Sequence, residues 1–107
     1  MKKIFGFVFL LFFGVLYSQN EQIANNYFDR GDFEKAMISY EDLLKSQPNN
    51  FNYFNRLVEC YQQMKQYDKA QTAIISRLEK YKYPGLLIEL GYNYQLLKDE
   101  ILKGLHN

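Results

Sequence analysis

Few side chains of this chain are suited to covalent chemistry, and their spacing keeps them from working together. Cys60 is the only cysteine and His106 the only histidine. A cysteine or serine nucleophile needs a base within hydrogen-bond reach. His106, next to the final residue, lies outside the patterned part of the chain. The same scarcity of imidazole and thiolate argues against a metal centre. Glu41-Asp42 and Asp99-Glu100 are adjacent pairs in polar stretches, which suits solvated helix faces better than a shared acid-base site. A glycine-rich phosphate loop is absent. These residues describe a non-enzymatic chain with no cofactor. Arg30-Gly31-Asp32 spells a cell-adhesion tripeptide, but Gly31 stands between two helical stripes, where a turn requires it. With a single thiol no internal disulfide forms, and Cys60 reads as a small buried apolar residue.

The elements that carry these residues begin only after an N-terminal segment of different character. Lys2 and Lys3 precede an apolar run from Ile4 to Tyr17, and Ser18-Gln19-Asn20 then turns polar. At ~14 residues the run is shorter than the about 20 a membrane helix needs and matches the hydrophobic region of a secretory signal peptide. Cleavage is expected after Ser18, so that the chain meets a membrane only through this segment before its removal. The expected location is the periplasm of a Gram-negative bacterium, or the extracellular space. Loss of Lys2 and Lys3 takes the basic residues from 13 to 11 against 12 acidic ones, a net charge near −1. Arg77, Lys80 and Lys82 cluster where a helix C-terminus attracts cations. This balance does not suit nucleic acid.

Beyond residue 18 the apolar residues recur with helical spacing. Phe33, Ala36, Met37, Tyr40, Leu43 and Leu44 line one face of an amphipathic helix, with Glu34, Lys35, Glu41 and Asp42 turned away. Upstream, Ile23, Ala24, Tyr27 and Phe28 form a shorter stripe that "DRGD" interrupts, and Pro48-Asn49-Asn50 closes the second helix. The scheme then restarts. Phe54, Leu57, Val58 and Tyr61 mark a first stripe, Lys65-Gln66 the turn, and Tyr67, Ala70, Ala73, Ile74 and Leu78 a second. Tyr27 maps onto Tyr61, Phe33 onto Tyr67 and Ala36 onto Ala70, each by a step of 34. A third start follows Pro84, where Leu87, Leu90, Gly91 and Tyr94 repeat the stripe of Phe54 with a step of 33. Short helix pairs of fixed period cannot bury their apolar faces alone and must stack.

These residues resemble the tetratricopeptide repeat. Leu87-x-x-Leu90-Gly91-x-x-Tyr94 is similar to its first-helix motif, and Ala36-x-x-x-Tyr40 with Pro48 to its second helix and closing proline. Departures are Val58 where a small residue is usual, Arg77 likewise, and Lys82 in place of proline. The resemblance implies an all-α, right-handed superhelical stack of antiparallel helix pairs, about two and a half repeats long. The expected divisions are a signal peptide over 1–18, repeats over 19–50 and 51–83, and a partial third over 84–107. After Tyr94 the sequence is expected to begin a turn at Lys98-Asp99 and a truncated second helix, leaving Leu90, Leu97, Ile101, Leu102 and Leu105 near an open apolar end. Gly91 is expected to serve close helix approach.

The resemblance also implies a function. First helices of such stacks line a concave groove. Carrying its ligand-facing places onto this register selects Asn25, Phe28 and Asp29, then Asn52, Asn55, Glu59, Gln62 and Gln63, then Tyr92 and Gln95. Amide side chains both donate to and accept from a peptide backbone, with Phe28 and Tyr92 as aromatic anchors. The expectation is an exported scaffold holding a protein or peptide segment. Alternatives are the sensory or docking front of a longer signalling or enzymatic protein, and a homo-oligomer joined through the C-terminal apolar end.

Overall fold

The computed structural model describes residues 19–81 and 84–106, and all regular structure among them is helical. The segment read as a signal peptide and Lys82 lie outside the described residues. Helix α1 covers residues 19–29. It is followed by α2 (Phe33–Ser46), α3 (Phe51–Gln63), α4 (Tyr67–Lys80) and α5 (Pro84–His106). The breaks fall where the turn residues stand, at Arg30 to Asp32, Gln47 to Asn50 and Met64 to Gln66. Contacts group the chain into two compact units that part between Phe54 and Asn55, within α3.

The first two corners are the same device. At the end of α1 the Gly31 N–H donates to the Phe28 carbonyl at 3.0 Å and the Asp32 N–H to the Tyr27 carbonyl at 2.9 Å. At the end of α3 the Lys65 N–H donates to the Gln62 carbonyl at 3.0 Å and the Gln66 N–H to the Tyr61 carbonyl at 2.8 Å. This pair of bonds is a Schellman closure, in which one left-handed residue lets two orphan carbonyls be satisfied. Gly31 takes φ +77° without a Cβ penalty, whereas Lys65 holds φ 59° as a non-glycine residue. Gly31→Ala is expected to lower stability by about 1–2 kcal/mol. A urea midpoint equal to that of the parent would contradict the left-handed corner.

The third corner does not form. Helix α5 runs without interruption for 23 residues, through the Lys98-Asp99 position where the sequence predicts a turn. The reason is local: Leu96, Leu97, Lys98, Glu100, Ile101 and Leu102 are helix formers or tolerated in helices, with no glycine or proline among them. The stripe expected on this helix is also mostly bare. Leu87, Gly91 and Tyr94 are exposed, and Leu90 is half-buried, while Leu86 and Asn93 are the residues that bury. Gly91 makes no close helix approach, since a Cβ there would meet nothing within 4 Å.

In the first unit the core comprises Ala24, Ala36, Tyr40, Leu43, Tyr53 and Phe54. Ala36 is fully buried, which is why only a methyl stands there. One turn on, the Tyr40 hydroxyl donates to Asn25 Oδ1, and its ring lies 6.4 Å from that of Tyr53. Burial, and then the Glu21 carboxylate beside it, push the Tyr53 phenol above its ordinary pKa. Asn50 begins α3 by accepting the Tyr53 N–H on Oδ1 at 3.2 Å, an N-cap bond.

In the second unit Leu57, Val58, Cys60, Ala70, Ile74, Leu86 and Asn93 bury, and α4 packs against α5. Burial pushes the Cys60 thiol up to about 11, Glu59 adding to the rise and Arg56 opposing it. Because the neutral thiol is favoured in the fold, this contribution to stability is complete below pH 9 and is lost as pH rises toward 11. At pH 8 such a shift leaves thiolate about 100-fold scarcer than for an ordinary thiol. Iodoacetamide is therefore expected to label Cys60 at least that much more slowly in the native chain than in urea, as read by intact-mass spectrometry.

Candidate interaction surface

The ten residues selected by the repeat register fall on α1, α3 and α5, and the structure sorts them by what their polar atoms already do. In the first unit Asn25 is exposed but its Oδ1 is occupied by the Tyr40 hydroxyl. Phe28 is half-buried and meets Phe33 edge to face, ring centroids 5.4 Å apart, so it belongs to the corner packing. Asp29 and Asn52 are exposed.

In the second unit Asn55 and Gln63 are exposed on α3, and Tyr92 and Gln95 on α5. Glu59 accepts from Arg56 at 3.2 Å along the same helix. Gln95 donates to Asp99 at 3.0 Å, one turn on. Gln62 is turned inward: its Nε2 stands 3.4 Å from Glu89 Oε1 and 3.4 Å from Asn93 Oδ1 on α5. Its amide joins two helices instead of facing outward.

The centre of that junction is Asn93, which the repeat register does not select. It is fully buried. Its Nδ2 donates to the Tyr67 carbonyl at 3.0 Å and to Gln71 Oε1 at 2.8 Å, both on α4. One amide therefore ties α5 to α4 and, through Gln62, to α3, and each of its polar atoms has a partner, as burial demands. A signal was present in the sequence: Asn93 stands 33 residues after Cys60, a position that reads as buried.

What remains exposed is Asn52 in the first unit and, in the second, the amides Asn55 and Gln63 on α3 and the Tyr92 ring on α5. Such groups can pair with a peptide backbone without any bond-making chemistry. A separate shallow groove is lined by Tyr61, Asp68, Lys69, Thr72, Ala73 and Ser76; it contains none of the ten. Among the described residues no three His, Cys, Asp or Glu side chains are grouped as metal ligands would be, and no helix is long and apolar enough to cross a membrane.

A family model described as the TT21 fifth ARM repeats domain matches residues 20–99. No curated protein matches the chain, and no solved structure does. The match covers all five helices up to Asp99 and agrees with an all-helical chain whose first two corners repeat. The chain belongs to the TT21 fifth ARM repeats domain family and is a helical repeat protein.

Proposed function

We propose that this chain is an exported, non-catalytic scaffold that holds a peptide or protein segment against the exposed faces of its first-position helices. The observation that carries the reading is the contrast along α3. Its apolar and small residues Tyr53, Phe54, Leu57, Val58 and Cys60 bury, while Asn52, Asn55 and Gln63 stay exposed. A helix that spends its apolar residues on stacking and presents amides outward is suited to recognition by shape and hydrogen bonding. Within the helical-repeat family, a tetratricopeptide-type unit is supported by the identical corners a step of 34 apart and by helices of 13 and 14 residues. Export is supported by the sequence pattern of residues 1–18.

The test is capture from the envelope fraction of the producing cell with the full chain and with an Asn52→Ala, Asn55→Ala, Gln63→Ala variant. None of the three residues is buried, so the variant is expected to keep its thermal midpoint. Loss of a specific partner by at least about tenfold is the expected outcome. Equal recovery by parent and variant would contradict the assignment of the surface.

A further inference from the structure

No further inference is drawn: the strongest candidate, the surface patch where the half-buried Glu89 carboxylate, 3.4 Å from the Gln62 amide, stands one turn before the exposed Tyr92 ring on α5, belongs to the surface already described, and nothing in the structure shows what covers it.

Discussion

Asn93→Leu is expected to cost about 2–3 kcal/mol of stability, although leucine has the same number of side-chain heavy atoms as asparagine and the site is fully buried. The loss comes from the partners left behind. The Tyr67 carbonyl and Gln71 Oε1 lose the donor they share, and Gln62 loses an acceptor. Removing one side of a buried hydrogen-bonded set costs the desolvation of the other side, whereas replacing both sides can be neutral. Asn93→Asp sharpens the test, because it puts a carboxylate where a donor must face the Tyr67 carbonyl. Burial would raise the pKa of that acid. Its neutral form is favoured in the fold, so the variant is expected to approach the leucine variant below about pH 4 and to lose further stability as pH rises through the raised value. Urea melts of both variants and the parent at pH 3.5 and pH 7 check this. A parent-like midpoint for Asn93→Leu would show that the amide junction does not hold α5.

Ala70→Leu is the second substitution with a large expected effect. Ala70 is fully buried on α4, one turn before the equally buried Ile74, and its 34-residue counterpart Ala36 is in the same state. Adding a branched side chain at a site of no exposure forces off-rotamer packing or pushes the helices apart, at a cost of about 1–3 kcal/mol. Ala36→Leu should behave alike, because the two positions do the same job in successive units. The two substitutions fall in different units of the chain, so their effects are expected to add within about 0.5 kcal/mol. Thermal midpoints of the two single variants and the double variant measure this. A neutral outcome at either alanine would mean that the helix pairs are not spaced by it.

The corners were legible in the sequence because they are made of local chemistry. Gly31, Pro48 and the step of 34 between Tyr27 and Tyr61 mark places where the backbone itself must change direction, and such signals do not depend on what packs nearby. Helix α5 was only half legible for the opposite reason. Its start at Pro84 is a local signal, but the burial of Leu87, Gly91 and Tyr94 depends on a covering helix, and sequence spacing cannot report whether one is there. Lys98-Asp99 resembles the Lys65-Gln66 turn in composition, yet the helix formers on either side of it, Leu96, Leu97, Glu100 and Leu102, carry α5 straight through. The candidate surface divides in the same manner. Exposure of Asn52, Asn55 and Gln63 follows from helix geometry. The use of Gln62, Glu59, Gln95 and Asn25 within the protein follows from which side chains meet in space. Asn93 lies beside the stripe of Leu87, Leu90, Gly91 and Tyr94, and only its alignment with Cys60 marks it in the sequence; its burial depends on three helices converging on it.

The most direct measurement of the scaffold assignment is site-specific photo-crosslinking in the producing cell, with a benzophenone amino acid placed singly at Asn55, at Tyr92 and at Glu34. Asn55 and Tyr92 lie on the faces of α3 and α5 proposed for recognition, and Glu34 on α2; all three are exposed, so folding is equally tolerant of the probe. Covalent capture of the same partner from Asn55 and Tyr92, with none from Glu34, is the expected result. Capture from Glu34 alone, or capture from none of the three in cells where the chain is folded, would contradict it.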